Sequence, residues 1–237
     1  MTTFRILIAD DHEIVRRGIR SLLAGHAGWE VCGEVSDGRQ AVEKARELRP
    51  DLVLLDVGMP NLNGLEAARQ ILKSAPEVRV LMLTMHESDQ IIREVLEAGA
   101  RGFLLKSDAA RDLVNAVEAL QCRSTFFSTT VGEVVLNGFL ARKNQKELLF
   151  KNRLTPRERE VVQLLAEGRS SKEVALVLNL SVKTAETHRT NIMRKLGLHS
   201  VADLVRYAIR NNIVPLAILD DSHAAARCSG MQEQSAG

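Results

Sequence analysis

Three aspartates follow short apolar runs in this sequence, and their placement suggests chemistry. Asp56 closes the run Asp51-Leu-Val-Leu-Leu-Asp56, and Asp10 and Asp11 directly follow the predicted strand Arg5-Ile-Leu-Ile-Ala9. Four apolar residues in a row are too few for a helix and indicate a strand buried on both faces. Open α/β sheets carry their functional groups at the carboxyl ends of such strands. Because three carboxylates on one sheet edge repel one another, the arrangement indicates a site for a cation.

Two further polar residues follow later strand-like runs. Thr84 comes after residues 79–83, and Lys106 comes after residues 102–105. A cation held by carboxylates, with a hydroxyl and an ammonium group beside it, forms a site for a tetrahedral, doubly charged anion. A purely structural alternative is that Asp10 or Asp11 caps a helix over residues 13–23. That alternative accounts for one carboxylate, whereas the sequence places three.

Residues 4–120 alternate between strand and helix patterns that can position these groups. The predicted strands are residues 5–9, 30–35, 52–55, 79–83 and 102–105. The stretches between them have apolar residues at spacings of three and four, as expected for helices that cover a sheet. In the first helix these residues are Ile14, Gly18, Ile19 and Leu22. Five βα units predict an α/β domain with a doubly wound, five-stranded parallel sheet.

This first domain resembles the receiver domain of bacterial two-component response regulators, whose fold is flavodoxin-like. The resemblance covers residues 4–120. It rests on Asp10-Asp11, Asp56 with Met59-Pro60 and Gly64 after it, Thr84, and Lys106 with Phe103 before it.

The resemblance implies a role for each of these positions. Asp56 would be the phosphoacceptor of a sensor histidine kinase, and Mg²⁺ would be the cofactor. The implied magnesium ligands are Asp10, Asp11, Asp56 and the backbone carbonyl of Gly58. Lys106 would pair with the phosphoryl oxygens, the Thr84 hydroxyl would bond one of them, and Phe103 would be the aromatic residue of the switch.

The rest of the chain has a different organisation and a different charge. Residues 121–152 read as a linker with room for one connecting helix over residues 131–140, residues 153–214 form a helical domain, and residues 215–237 form a disordered tail. Residues 1–120 carry 15 Lys and Arg against 19 Asp and Glu, whereas residues 153–214 carry 11 against 6. A basic helical domain joined to an acidic domain indicates a nucleic-acid partner for the former.

The helical domain has explicit start signals and the proportions of a helix-turn-helix. Thr155-Pro156-Arg157-Glu158 and Ser170-Ser171-Lys172-Glu173 are capping boxes, and Gly197 ends a later helix. A helix over residues 171–178, a turn of about four residues and a helix over residues 182–196 match that motif. The alternative is a plain helical bundle whose core contains Val161, Leu164, Leu165, Val174, Ala175, Leu178, Leu180 and Val182.

The helix over residues 182–196 has two faces. Ala185, Ile192, Met193 and Leu196 can pack inward, while the remaining surface offers Lys183, Thr184, Thr187, His188, Asn191, Arg194 and Lys195. Short polar side chains read bases through directional hydrogen bonds, and cations attract phosphates. The composition of this face therefore favours a DNA-binding helix over a merely solvated one.

This domain is similar to the LuxR-type DNA-binding domain, so the whole chain resembles the NarL/FixJ family of response regulators. The similarity rests on Leu154-Thr155-Pro156-Arg157-Glu158-Arg159-Glu160-Val161, Glu167-Gly168, and Ser181-Val182-Lys183-Thr184-Ala185-Glu186-Thr187-His188. It implies that residues 182–195 enter the major groove of double-stranded DNA. The candidate contacts are Lys183, Thr184, Thr187, His188 and Asn191, with Lys195 on a phosphate. His188 has the alternative of packing beside the helix-turn-helix core.

The same resemblance implies a homodimer on DNA. Leu204, Val205, Ala208 and Ile209 of a final helix over residues 201–211 would form its seam. One domain reads too few base pairs to select a promoter, so a symmetric dimer on two half-sites is expected.

The composition argues against several other classes of protein. With 45% apolar residues, no apolar stretch of membrane-span length and no signal peptide, we expect a cytoplasmic protein with no membrane partner. Cys32, Cys122 and Cys228 are odd in number and far apart, which is typical of reduced thiols.

Two rival functions remain open at this stage. An aspartate-nucleophile phosphatase would carry Asp-x-Asp on its first strand, whereas Asp10 and Asp11 are adjacent. A regulator that acts only through protein contacts does not need the polar, cationic face of residues 183–195. The predicted function is a phosphorylation-controlled transcription regulator that is not an enzyme, beyond self-phosphorylation from a phosphodonor and slow autodephosphorylation.

Overall fold

The computed structural model describes residues 3–85, 88–127 and 154–215, and the chain divides between Arg153 and Leu154 into two units. In the first unit, five parallel strands form one sheet in the order β2-β1-β3-β4-β5. The strands are β1 Phe4–Ala9, β2 Trp29–Val35, β3 Leu52–Asp56, β4 Arg79–Thr84 and β5 Gly102–Leu105. The four apolar residues of β3 are fully buried at the centre of the sheet, as their uninterrupted run predicted.

Helices cover both faces of this sheet. They are α1 Glu13–Ala24, α2 Gly38–Leu48, α3 Gly64–Ser74, α4 Asp89–Ala98 and α5 Ala109–Gln121, with a short 3₁₀ turn, Lys106–Asp108, before α5. The core on one face contains residues of α1 and α5, and the core on the other contains residues of α2, α3 and α4. The predicted doubly wound α/β fold is confirmed.

The start of α1 differs from the prediction in two respects. Ile14 is 86% exposed and Gly18 is also exposed, whereas Ile19 and Leu23 are buried. Positions 14 and 18 lie on one outer stripe of the helix, because residues four apart share a face. The alternative that an aspartate caps this helix is wrong, since the N-cap residue is His12.

The chain beyond α5 returns to the edge of the sheet. The backbone N–H of Phe126 donates to Arg101 O at 3.1 Å, and the N–H of Phe103 donates to Phe126 O at 2.9 Å. We call this parallel pairing, which joins Gly102 to Phe126, the Phe126 bridge. A Cβ at Gly102 would lie 2.6 Å from Leu81 Cδ1, so a larger residue here would require the Leu81 side chain to shift. The predicted connecting helix over residues 131–140 lies outside the described residues.

The second unit is helical. It contains α6 Pro156–Ala166, α7 Ser171–Val177, α8 Val182–Leu196 and α9 Val201–Arg210. Thr155 and Ser170 form the predicted capping boxes, and Gly197 ends α8 with a φ of +64°. α7, the turn over residues 178–181 and α8 make the predicted helix-turn-helix. The assignment of Val182 to the core is wrong, because the first turn of α8 leaves its side chain 41% exposed.

In the part of the chain that the structure describes, no helix combines the length and the apolar character needed to cross a membrane. The predicted tail begins at residue 215, and residues 216–237 lie outside that part.

Candidate functional site

The sheet register brings the acidic residues and their neighbours to one edge. Ala9 pairs with Leu55, so Asp10 emerges beside Asp56, the last residue of β3. Thr84 ends β4 and pairs with Leu105, and Lys106 follows that residue. The order of the strands reverses direction between β1 and β3, which is where ligands bind in open α/β sheets.

A lysine bridges two of the carboxylates. Lys106 Nζ lies 2.7 Å from Asp10 Oδ2 and 3.0 Å from Asp56 Oδ2. The side chains of all three residues are almost entirely buried. Since a buried charge is tolerated when it is paired, this cation offsets part of the repulsion between the two carboxylates.

The second aspartate and a histidine complete the cluster. His12 Nδ1 lies 2.7 Å from Asp11 Oδ1 and 3.4 Å from Asp10 Oδ1. One ligand atom from each of Asp10, Asp11, His12 and Asp56 lies within 4.8 Å of the others. This acidic pocket can hold a metal ion, because carboxylate oxygens are suitable ligands for hard divalent cations.

The surroundings of Asp56 change its protonation. Burial raises the pKa of Asp56 to about 6, and the negative charge of Asp10 adds to the rise while Lys106 opposes it. Burial alone would lower the pKa of Lys106, but Asp56 and Asp10 outweigh it and the net shift is upward. The two shifts describe one coupled ion pair, in which the ammonium group stays charged and the carboxyl group titrates near neutrality.

The loop after Asp56 is held against the strand by close backbone contacts. A Cβ at Gly64 would lie 1.9 Å from the carbonyl oxygen of Asp56, so this position requires glycine. The Asn63 side chain accepts the N–H of Glu66 and caps α3. Gly58, the predicted source of a carbonyl ligand, lies partly exposed in this loop.

The two predicted switch residues are both inside the protein. Thr84 is 4% exposed at the end of β4, and Phe103 is 2% exposed on β5. Phe103 packs in the core that α2, α3 and α4 cover. Its backbone N–H also belongs to the Phe126 bridge. Sequence reasoning missed that bridge, because nothing in the local pattern of residues 122–127 marks a strand.

Most of the predicted DNA contacts lie on the exposed face of α8. Lys183, Thr184, Thr187 and Asn191 are exposed, and His188 is half-buried at the border of that face. Arg194 Nη2 donates to Asn191 Oδ1 at 2.9 Å, which fixes the orientation of that amide.

Lys195 has a structural partner instead of a free ammonium group. Its Nζ lies 2.7 Å from Glu158 Oε2, and that oxygen also accepts the N–H of Thr155 at 2.7 Å. Burial opposes ionisation of Glu158, but the hydrogen bonds from Lys195 and Thr155 outweigh it and lower its pKa. The ion pair joins α6 to α8.

The predicted dimer seam is divided between core and surface. Leu204 and Ala208 are buried, at 1% and 0% exposure, in the core of their own unit. Val205 and Ile209 are half-buried, and Val201 of the same helix is 48% exposed. The latter three residues therefore form one apolar stripe on the surface of α9, beside the exposed Arg206 and Arg210, and Leu204 and Ala208 support it from beneath.

Comparison with known proteins identifies both units. The family model of the response regulator receiver domain matches residues 6–118, and that of the bacterial regulatory proteins of the luxR family matches residues 152–208. The response regulator protein VraR of Staphylococcus aureus is 37% identical over 212 residues, which cover 90% of this chain and 99% of VraR.

Solved structures agree with this assignment. The RcsB response regulator of Salmonella typhimurium is 30% identical, with a TM-score of 0.61 over 89% of this chain and 99% of RcsB. RcsB bound to the rprA promoter in the presence of the phosphomimetic BeF₃⁻ aligns with a TM-score of 0.57 and 30% identity, over 87% and 98% of the two chains. A LuxR-family two-component response regulator from Aurantimonas sp. SI85-9A1 is 34% identical, with a TM-score of 0.55 over 59% of this chain and 99% of that one.

These matches are to regulators and not to a class of enzymes that turn over a substrate. The chain belongs to the two-component response regulators of the NarL/FixJ family, which join a receiver domain to a LuxR-type helix-turn-helix DNA-binding domain.

Proposed function

We propose that this protein is a transcription regulator whose DNA binding is controlled by phosphorylation of Asp56. The main observation in support is the cluster of Asp10, Asp11, Asp56 and Lys106 on one sheet edge. The same chain also has a polar recognition helix, α8. The receiver would comprise residues 1–120, the linker residues 121–152 and the DNA-binding domain residues 153–214. A DNA-binding regulator of this kind acts in the cytoplasm.

The phosphodonor is a sensor histidine kinase. An oxygen of Asp56 attacks the phosphorus of a phosphohistidine, the nitrogen–phosphorus bond breaks, and an acyl phosphate forms on Asp56. The attacking carboxyl group must be ionised, and a pKa of about 6 leaves it largely so at neutral pH. Free small phosphodonors can supply the same group, and hydrolysis of the acyl phosphate ends the signal.

The chemistry of the pocket fits Mg²⁺. Asp10, Asp11 and Asp56 would hold it together with the carbonyl oxygen of Gly58. When bound, Mg²⁺ would neutralise charge on the phosphoryl oxygens. Lys106 already bridges Asp10 and Asp56, so its ammonium group is positioned to pair with an incoming phosphoryl oxygen. The Thr84 hydroxyl would move to bond another phosphoryl oxygen. The ring of Phe103, which is buried, would follow that movement.

The DNA-binding surface is the exposed face of α8. Lys183, Thr184, Thr187, His188 and Asn191 would contact DNA in the major groove. Lys195 would reach a phosphate only by releasing Glu158, so its contribution to binding would be the smallest among the cations of this helix.

A homodimer would present two such helices to two half-sites. Val205, supported by Leu204 and Ala208, would form the seam together with the exposed side of α9. Solved structures of RcsB include dimers bound to DNA, and this supports the same arrangement here. Phosphorylation would favour the dimer and thereby tighter binding.

The test combines chemistry and binding in one preparation. The purified full-length protein is treated with a small-molecule phosphodonor and Mg²⁺, beside Asp56→Ala and the surface control Asp112→Asn. Intact mass, oligomeric state and binding to random and selected DNA are recorded. We expect one phosphoryl group, a shift to dimer and tighter DNA binding in the wild type and the control only.

Three results would contradict the proposal. Phosphorylation of Asp56→Ala would mean that another residue accepts the group. Equal DNA affinity and oligomeric state with and without phosphorylation would refute the coupling between the two domains. Turnover of a free phosphate ester would instead favour an aspartate-nucleophile phosphatase.

A further inference from the structure

The apolar stripe on α9 is continuous with a groove that the proposed function does not use. The stripe consists of Val201, Val205 and Ile209. Val201 also lines a groove of about 210 Å³ between α6, α8 and α9. The lining of this groove is mostly apolar and includes Leu165 and Met193. The stripe and the groove therefore form one apolar surface along the helical unit.

Two arginines lie at this groove. Arg169, in the loop between α6 and α7, and Arg189, on α8, both line it. The side chain of Arg189 forms no ion pair or hydrogen bond with any residue that the structure describes. Arg169 Nη1 lies 4.0 Å from Glu173 Oε1, in an exposed contact that water screens. The groove thus suits a partner in which apolar residues adjoin carboxylates.

The sequence that follows the described residues has this composition. The described part of the helical unit ends at Pro215, and the next six residues are Leu216-Ala217-Ile218-Leu219-Asp220-Asp221, which we call the C-terminal segment. Its four apolar residues come first and its two carboxylates come last. The surface has the same order, because the stripe begins at the end of α9 and the arginines lie at the far end.

The C-terminal segment is long enough to follow this surface. The N–H of Ile213 donates to Ala208 O at 2.9 Å and the side chain of Ile213 is buried, so Pro215 lies close to the last turn of α9. The ten residues of α9 extend over about 14 Å. Six residues in extended conformation span about 20 Å. The two carboxylates can therefore reach the groove at the start of α9.

We propose that the C-terminal segment docks in extended conformation on the stripe and groove of its own chain, with Asp220 and Asp221 paired to Arg169 and Arg189. The docked segment covers the stripe that the proposed function places in the dimer seam, so it restrains dimerisation. The restraint rests on the proposed function, whereas the docking does not. For this segment alone, docking replaces the expectation of a disordered tail.

Docking is tested in the full chain with a nitroxide spin label at position 222. The label is attached to Ser222→Cys in protein that also carries Cys32→Ser, Cys122→Ser and Cys228→Ser. Because a nitroxide broadens the signals of nearby amides, the Gly168 amide reports whether the segment reaches the groove. A mixture of spin-labelled protein with unlabelled, isotope-enriched protein separates docking within one chain from docking on a second copy.

We expect broadening of the Gly168 amide within one chain and little in the mixture. Arg169→Gln combined with Arg189→Gln should abolish it, whereas the control Lys172→Gln, exposed on α7 and outside the groove, should not. Added salt should weaken the broadening, because ions screen exposed pairs. An unbroadened Gly168 amide, or broadening that survives the loss of both arginines, would overturn the docking. Broadening in the mixture alone would assign the segment to a second copy and overturn docking within a chain.

The restraint on dimerisation is tested by shortening the chain. A chain that ends at Pro215 lacks the segment, and a control that ends at His223 keeps it. If the segment covers the seam in about nine chains of ten, the dissociation constant of the dimer should be about tenfold lower in the shorter chain for each protomer freed. Sedimentation equilibrium with and without a phosphodonor measures it.

Equal dissociation constants in the two chains would overturn the restraint. A dimer in neither chain, under either condition, would overturn the proposed dimer and the restraint together. The spin label reports docking in both cases, so failure of the proposed function and failure of the docking are separate results.

Discussion

At the scale of single residues, Asp56 must satisfy two conflicting requirements. It has to be buried to exclude water from an acyl phosphate, and it has to be ionised to attack phosphorus. Burial raises its pKa to about 6, and Lys106 keeps the rise from being larger. The residue therefore remains reactive at neutral pH, but its charge destabilises the folded receiver when no metal is bound.

This conflict predicts that Asp56→Asn stabilises the metal-free protein at neutral pH. A carboxyl group with a raised pKa binds its proton more tightly in the folded state, so the ionised form costs stability above pH 6. The gain in unfolding free energy should be on the order of 2 kcal/mol at pH 7.5 and should shrink as the pH falls through 6 towards 4. Thermal unfolding in a chelating buffer across this range measures it.

The partly exposed residue Asp112 provides the control for that series. A hydrogen bond from Arg111 lowers its pKa, and because solvent screens this pair Asp112→Asn should leave the stability nearly unchanged at every pH in the range. A stabilisation by Asp56→Asn that does not vary with pH would show that shape, rather than charge, is responsible.

At the scale of helices and strands, the carboxylate of Glu158 connects the start of α6 to the end of α8. It belongs to the capping box of Thr155 at the start of α6 and pairs with Lys195 near the end of α8. Lys195→Ala should therefore lower the stability of the helical unit by roughly 0.5–1 kcal/mol, because the pair is only partly exposed.

The matched variant is Lys183→Ala, at an exposed position on the same helix. It should leave the unfolding midpoint unchanged and weaken DNA binding, with a shallower dependence on salt because one phosphate contact is lost. Chemical denaturation and binding at two or more salt concentrations separate the two effects. Equal effects of both variants on DNA affinity, with no change in stability, would show that Lys195 contacts phosphate after all.

The Phe126 bridge makes a second prediction at this scale. Phe126→Pro removes the N–H that donates to Arg101 O, and the loss of pairing should also free the amide of Phe103. Phe126→Ala keeps the backbone bonds and removes only the side chain from the core. Hydrogen exchange at the Phe103 amide should therefore be faster in the proline variant than in the alanine variant. Equal exchange rates in the two variants would mean that the ring, and not the backbone, holds this segment.

Local signals predicted these elements well where the cause is local. The bounds of β5 and α8 and the capping boxes of Thr155 and Ser170 were predicted, because hydrophobic runs and caps act within a few residues. Ile14 shows the limit, since spacings of three and four do not tell which stripe of a helix meets the sheet.

The functional site, too, could be predicted only where the positions of residues along the chain decide it. Carboxyl ends of parallel strands meet at one edge, so Asp10, Asp56 and Lys106 could be placed together from their positions in the sequence. Side-chain contacts between distant segments could not be predicted, because packing in three dimensions decides them. The bridge that Lys106 makes between two aspartates and the pairing of Lys195 with Glu158 both belong to this class.

At the scale of the whole molecule, the two units have separate cores and opposite charge. The described core of the helical unit consists only of residues between Leu154 and Val214. The receiver is acidic and the helical unit is basic, as the counts for residues 1–120 and 153–214 show. Separate cores allow each unit to fold alone.

This separation predicts that a fragment of residues 154–215 folds alone and binds DNA without regard to phosphorylation. If the receiver restrains the DNA-binding unit, the fragment should bind more tightly than the unphosphorylated full-length protein and should not respond to a phosphodonor. Circular dichroism during thermal unfolding tests whether it folds, and titration of labelled DNA at matched salt concentration compares its affinity with both forms of the full chain. A fragment that binds more weakly than either form would show that the receiver contributes by forming the dimer, because two linked helices gain affinity that one cannot reach.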